Sequence, residues 1–404
     1  MSRMAWRNIW RVPRRTVTVL MAVITGLWAM VALSSIMAGA LDQMVRNGIK
    51  NLTGHIQIHQ KGYHSDPVIE NSMADDAPVI ALLKEQNIPM SWARRVRVPA
   101  VVSNARHSVG ATVVGIEPAE ESRVSFIGSS VVEGRYLEDA DERGILVGRR
   151  VADRINAGIG SKVVLLAQDS QKDIASAAFR IQGIFAAEPE TVEEQFVFVL
   201  LSSLQGLLKL GSGISEVAVV VEDHVGSASL RDRIAARVDP SLEVLHWSDL
   251  LPLVTSTIAL WKGFVYIWYS IAFVAIAFSL INTMLMAVME RSREFGLLRA
   301  LGMTPLRIVS LILTESLWLL VLGLAFGNLL SLATVVWVAR TGIDLTAFVE
   351  GTVRVGLSRV VYPTINVEEL LAANLMVLIP GILVNLYPAI KAARMAPVVA
   401  LRRN

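Results

Sequence analysis

The sequence predicts an α-helical membrane protein with four transmembrane helices and a large mixed α/β extracytoplasmic domain inserted between helices 1 and 2. Three observations predict it. The 404-residue chain is 53% hydrophobic and only 18% charged, with a mean hydropathy of +0.51. A soluble domain sits nearer about 45–50% apolar and about 25% charged. The apolar excess is concentrated in four blocks, each long enough for the roughly 20 residues that a helix needs to cross a bilayer. Between the first and second blocks lies a long, more polar stretch, sufficient for a domain of its own. This composition excludes an ordinary soluble enzyme, and also a disordered chain, which would be poor in apolar residues. The chain has no cysteine, so it has no disulfide, thiolate metal site, catalytic thiol or lipidated cysteine.

Each element can be justified in order. Over residues 1–16, Arg3, Arg7, Arg11 and Arg14 cluster on one side of a helix, with Ala5, Ile9 and Val12 opposite and Trp6 and Trp10 between. That pattern predicts an interfacial amphipathic helix stopped near Pro13, with Trp6, Arg7, Trp10 and Arg11 at the membrane surface. Residues 17–53 hold the first transmembrane helix and a stalk. The block from Val17 to Leu41 carries no charge and exceeds the apolar core of a signal peptide, so it is expected as an uncleaved anchor. Leu41, Met44, Val45, Ile49 and Leu52 fit a helical stalk face.

Residues 54–245 are the expected α/β domain. Residues 54–60 alternate polar and apolar, a strand signal. Further strand-like runs are Ala111–Ile116, Gly144–Val147, Val163–Leu166, Phe179–Phe185, Phe196–Leu200 and Val217–Val221, and helix-like stretches cover 76–87, 149–157 and 226–238. Residues 246–289 form a stalk and the second transmembrane helix, 290–307 a short connecting segment, and 308–339 the third transmembrane helix. Residues 340–369 form a short loop, 370–390 the fourth transmembrane helix and 391–404 a tail.

Basic residues orient these parts. Arg3, Arg7, Arg11, Arg14 and Arg15 precede the first span, Arg291, Arg293, Arg299 and Arg307 lie between the second and third, and Lys391, Arg394, Arg402 and Arg403 end the chain. In the large domain acids outnumber bases. Both termini and the 290–307 segment are therefore expected in the cytoplasm and the large domain outside. The basic residues are topology signals, not a nucleic-acid footprint.

No catalytic or metal site emerges. His55 and His59 lie four apart, but on a strand that spans roughly 13 Å, too far for one zinc. They are expected as two exposed strand histidines. There is no HExxH and no G-x-S-x-G. Gly158-Ile159-Gly160-Ser161-Lys162 lacks phosphate-loop spacing and precedes a strand, so it is expected as a turn. Arg94, Arg95 and Arg97 are expected on a solvated strand face. Within the spans, Gly323-x-x-x-Gly327 allows close helix contact, and Asn282, Asn328, Asn374 and Asn385 can hydrogen-bond between helices. Glu315 is the only carboxylate well inside a span, and a helix contact near the inner interface is its expected role, with a functional role as the alternative.

The most specific stretch is Met289-Glu290-Arg291-Ser292-Arg293-Glu294-Phe295-Gly296-Leu297-Leu298-Arg299-Ala300-Leu301-Gly302-Met303. It resembles the E-R-x-x-E-x-G-x-L-R-A-x-G signature of the FtsX/MacB superfamily of ABC-transporter permeases. Tyr387 to Arg402 resembles the family's P-A-x-x-A-A-x-x-x-P-x-x-A-L-R ending, with Ala396-Pro397 in place of the commoner Asp-Pro. Ala5 to Arg15, Val114 to Pro118, Gly134-Arg135 and Ile145 to Gly148 are also similar to family segments. The resemblance covers essentially the whole chain, and its size and the Gly54–Tyr63 stretch look most like the lipoprotein-releasing permeases of LolC/LolE type.

The resemblance implies a non-catalytic permease in the bacterial inner membrane whose 290–307 segment docks in an ATPase. The coupling residues would be Glu290, Arg291, Glu294, Phe295, Gly296, Leu298, Arg299, Ala300 and Gly302, with Phe295 as an exposed apolar anchor. Glu315, Gly323 and Gly327 would pack helices. The implied partners are two copies of an ABC ATPase subunit holding ATP and Mg, and a second permease, the same chain or a homologue. A lipoprotein or lipid-like cargo, membrane lipids and a periplasmic chaperone or adaptor complete the set. The alternatives within the family are MacB-like efflux with a separate ATPase, or an FtsX-like regulator of a periplasmic hydrolase.

Overall fold

A computed structural model describes the chain apart from residues 1, 87, 188–189, 223–225, 345–359 and 395–404. It divides into two compact units: residues 42–256, and the rest of the described residues.

The chain opens with α1 (Ser2–Ile9) and α2 (Pro13–Gly48), followed by a π-helical turn over Ile49–Thr53. Then come β1 (Ile56–Gln60), α3 (Ala77–Lys84), β2 (Met90–Ser103), β3 (Ser108–Ile116), α4 (Pro118–Val124), β4 (Val131–Gly134), β5 (Gly144–Gly148) and α5 (Arg149–Ile155). They are followed by β6 (Lys162–Gln168), β7 (Ile174–Phe185), α6 (Thr191–Gln195), β8 (Phe196–Leu200), α7 (Leu201–Leu208), β9 (Glu216–Val221), α8 (Ser227–Ala235), β10 (Leu242–His246) and α9 (Trp247–Leu250). Six of the seven strand-like runs of the sequence lie within strands, and the seventh, 54–60, overlaps β1 from Ile56 onward.

Six strands close into a barrel. β2 pairs β3, β3 pairs β8, β8 pairs β5, β5 pairs β7, β7 pairs β6, and β6 returns to β2. Closure leaves these strands no free edge. Alternate residues from all six fill one core: Val98 and Val102, Val113, Val197, Ile145, Ile181 and Leu165 are all buried together. The outward residues Val114, Leu146, Phe198 and Leu200 form a second cluster with Leu52, Ile127 and Phe185. β5 is therefore buried on both faces, which is why Gly144-Ile145-Leu146-Val147-Gly148 is apolar without alternation.

β2 is long enough to serve twice. Its first half pairs β9 and joins the antiparallel sheet β10-β1-β9-β2, whereas from Ala100 onward the same edge pairs β6. Pro99, with no N–H to give, sits where that edge has left β9 and not yet met β6. Between the two pairings, Ser215 Oγ accepts from the Arg97 N–H at 3.0 Å.

Two expectations are corrected in this unit. His55 and His59 are not exposed: each is 1% exposed, because β1 is flanked by β9 and β10 and covered on both faces. Arg95 is not solvated either. It is fully buried, donating to both oxygens of Glu121 at 2.9 and 2.8 Å and to Glu216 at 3.1 Å. Burial works against its charge, but the two carboxylates outweigh burial and hold the guanidinium above its ordinary value. Arg95 also donates to the carbonyl of Leu52, a residue with φ of 71°. Of the other two arginines, Arg94 forms a two-pronged pair with Glu117 at 3.0 and 2.6 Å, and Arg97 pairs with Glu216 at 3.3 Å.

The second unit is helical. α10 (Pro252–Glu290), α11 (Ser292–Ala300), α12 (Pro305–Thr341) and α13 (Val367–Ala393) follow α9, and β11 (Ile343–Asp344) pairs β12 (Val360–Val361) between the last two helices. The helix containing Pro13–Gly48, and α10, α12 and α13, are each long and apolar enough to cross a membrane. Leu260, Phe264, Ile267, Ile271 and Phe278 leave a broad bare apolar face on α10 that water alone would not favour. Gly323 and Gly327 face α2: a Cβ on Gly323 would lie 2.5 Å from Val23 Cγ1, and one on Gly327 3.0 Å from Leu27 Cδ2. Asn328 and Asn374 exchange amide hydrogen bonds of 2.8 and 3.1 Å between α12 and α13. Half of the 340–369 loop, residues 345–359, and the tail beyond Arg394 lie outside the described residues.

Candidate coupling site

α10 ends at Glu290, α11 follows after one residue, and the chain reverses through Gly302, whose φ of 92° suits glycine, into α12 at Pro305. The segment is a short helix held between two long ones.

The helical period sorts α11 into two faces. Phe295 and Gly296 are buried, while Leu298 packs partly against the same core. Phe295 is only 1% exposed, so it is no exposed anchor: the period that turns Leu297 outward turns Phe295 into the bundle beside Ile308 and Ala392. The opposite face carries Leu297, Ala300 and Leu301, the two leucines 54% and 76% exposed. Leu306, at the start of α12, is 80% exposed. Sequence reasoning picked out Ala300 and missed the three leucines; the i, i+4 spacing of Leu297 and Leu301 with Arg293 was the available signal for two of them.

The charged residues of the signature bind within the unit. Arg291 Nη1 donates to both oxygens of Glu315 at 3.0 Å, and its Nε donates to Glu294 at 3.1 Å. Its guanidinium also lies 5.2 Å above the Phe295 ring. Burial opposes the charge of Arg291, but Glu315 and Glu294 outweigh it and hold the guanidinium above its ordinary value. Glu294 takes a second pair from Arg11 at 2.9 Å, and Glu290 pairs with Arg15 at 3.4 Å. Arg299 donates to the Ala393 carbonyl of α13 at 3.1 Å. Arg291 and Arg299 are thus fasteners, not free handles.

The N-terminal helix joins the same cluster. Ala5 and Ile9 are buried, Trp6 stands edge-on to Trp318 at 5.2 Å, and Asn8 donates to Glu315 at 2.7 Å. Trp6 and Trp10 remain 38% and 49% exposed, and Arg7 and Arg11 face outward. A cleft of about 280 Å³ lies among Asn8, Arg11, Arg15, Glu290, Glu294 and Glu315. Among the described residues, no group of three or more His, Cys, Asp or Glu is placed to hold a metal ion.

Such a site carries no reactive group positioned for bond making. What it offers is an apolar surface on a short helix whose other side is fastened to α12, α13 and α1. Comparison with known proteins gives this arrangement a context. A family model described as MacB-like periplasmic core domain matches residues 16–237, and one described as FtsX-like permease C-terminal matches residues 266–397. The chain is 20% identical over 396 residues to the lipoprotein-releasing system transmembrane protein LolC of Xylella fastidiosa, covering 95% of this chain and 92% of that protein. It is 21% identical to the LolE protein of the lipoprotein-releasing system of Haemophilus influenzae, covering 75% and 74%. It is 23% identical to the pyoverdine export ATP-binding/permease protein PvdT of Pseudomonas fluorescens, covering 98% of this chain and 58% of that protein. The chain belongs to the FtsX/MacB superfamily of ABC-transporter permeases, with a MacB-like periplasmic core domain followed by an FtsX-like permease region.

Proposed function

We propose that this chain is the permease subunit of an ATP-driven, mechanotransmission-type ABC transporter. In this reading it extracts lipoproteins from the outer leaflet of the bacterial inner membrane for transfer towards the outer membrane. The observation that carries the proposal is end-to-end likeness to a lipoprotein-releasing LolC, joined to an α11 that presents Leu297, Ala300 and Leu301 outward. Both termini and α11 lie in the cytoplasm and the β-rich domain in the periplasm, as the distribution of arginine supports.

ATP and Mg belong to two copies of a separate ATPase subunit. This chain contributes no residue to hydrolysis. Its leucine face seats in the ATPase, and closure of the ATPases pushes α11, which α10 and α12 flank in the chain. A second permease, the same chain or a homologue, completes the complex, and a periplasmic chaperone or adaptor receives the cargo. Among the described residues Glu315 is the carboxylate buried deepest in a candidate span and it is paired, so the spans support cargo movement along the bilayer better than a polar pore.

The test is mass spectrometry of what co-purifies with the tagged chain from native membranes in lipid nanodiscs. An ATPase together with acylated lipoproteins is expected. An ATPase with an efflux adaptor or with a hydrolase would replace lipoprotein release by one of the alternatives, and no ATPase would overturn the reading. Leu301→Asp should reduce the co-purifying ATPase by tenfold or more, on the order of the ~1.4 kcal/mol or larger loss of an interface hot spot, at unchanged membrane level. Undiminished ATPase in that variant would exclude the leucine face.

A further inference from the structure

One carboxylate joins parts of the chain far apart in sequence. Glu315 is 5% exposed, and both of its oxygens are engaged. From one side Arg291, the residue that separates α10 from α11, donates to both. From the other side Asn8 of α1 donates to Oε1. A second link lies farther out, where Arg11 reaches Glu294 on α11. Ala5 and Ile9 bury the remaining inner face of α1, and Trp6 packs on Trp318 of α12. The N-terminal helix is therefore not simply laid on a membrane surface. It is bolted to the segment read above as the ATPase-docking element.

We infer that Glu315 is a positioning residue that locks α1 and α11 into one rigid body, so that displacement of α11 is delivered to α1 and, through the turn at residues 10–12, to α2. The inference rests on the docking role of α11 for its use, but the lock itself does not. Arg291 Nη1 reaches both oxygens of Glu315 while its Nε holds Glu294, so the guanidinium is tied at two points by charge-assisted bonds, which a single apolar contact would not achieve. α11 is also held to α13 by Arg299, so without Glu315 it would stay in place yet swing against α1. Gln at 315 keeps an acceptor for Asn8 and removes the charge that holds Arg291. The lock would loosen while the bundle keeps its shape.

The chain has no native cysteine, so a labelled pair needs no background removal. Arg7→Cys on α1 and Arg293→Cys on α11, both exposed, would be spin-labelled in the full chain in nanodiscs, with and without the co-purified ATPase and a non-hydrolysable ATP analogue. The parent should give one narrow distance distribution that nucleotide leaves unchanged. Glu315→Gln should replace it with a broad or two-peaked distribution. A narrow distribution in Glu315→Gln, or a parent distance that shifts with nucleotide, would overturn the lock. The nucleotide-free arm decides it without any ATPase. An ATPase that fails to bind the labelled and unlabelled parent alike would count against the docking role instead.

Discussion

Each unit of the molecule contains an arginine held between glutamates, and the two networks differ in how far they open to solvent. Arg95, Glu121 and Glu216 are at most 1% exposed, with contacts from four parts of one domain, and only at its edge does Glu216 meet Arg97, which is 27% exposed. Glu315 is buried at one end of its network with Arg291 half-buried beside it, but Glu294 and Arg11 at the other end are 42% and 58% exposed. A sealed network can come apart only when the surrounding structure does. An open one can exchange partners at its wet end while the buried end holds. The first suits a fixed frame, the second a joint that carries load.

The largest effect should come from breaking the sealed network. Arg95→Met leaves Glu121 buried without its arginine and Glu216 with Arg97 alone, and should cost about 3–5 kcal/mol, as removal of one partner from a buried pair does. Thermal unfolding and limited proteolysis of the full chain in detergent would read this, and a melting temperature within a degree or two of the parent would erase the distinction between the networks. Phe295→Asp removes a buried ring from the helical unit, at about 3–5 kcal/mol of packing for the ring alone. The loss should appear as a collapsed monodisperse peak in size-exclusion chromatography. A well-folded Phe295→Asp that merely lost ATPase binding would return Phe295 to the docking surface.

The smallest effect concerns pH. Burial holds the His59 imidazolium below its ordinary value of 6.5, against the pull of Glu216 and Glu243 and with His64 adding to the lowering. The unfolded chain then takes up this proton more readily than the folded one. Stability from His59 is full above about pH 6.5 and is lost as the pH falls through that value towards the lowered one. His59→Gln should therefore flatten the fall in melting temperature on acidification from about pH 7.5 to pH 5.5. His246, also lowered by burial, and Glu120, raised to about 7 by burial and by Glu117, contribute to the remaining slope, and an unaltered slope in His59→Gln would assign the whole effect elsewhere.

How much could be read from the residues follows the range of the interactions. Four spans were legible because a bilayer tests length and polarity, which are local. The strands were legible where alternation or β-branched runs mark them. β2 was legible only as a solvated strand face at Arg94, Arg95 and Arg97, because the Glu117, Glu121 and Glu216 that pair with them come from elsewhere in the chain. His55 and His59 were misjudged for the same reason: alternation tells which residues share a face, not whether something covers it. In the coupling segment the signature located the helix, but both of its faces carry apolar residues. Only the packing of α12 and α13 decides that Phe295 points in and Leu297 and Leu301 point out.

The pairing of β1 has a consequence for how the protein is made. Ile56–Gln60 bonds to β9 on one edge and β10 on the other, so the first strand of the domain waits for its last two. A chain emerging from its N-terminus must carry β1 unpaired until residues 216–246 have followed, and α10 begins only a few residues later. Such a delay exposes an unpaired strand to wrong partners for most of the domain's synthesis. Correct biogenesis thus depends on keeping nearly the whole domain apart from its neighbours until the moment before the second long helix arrives.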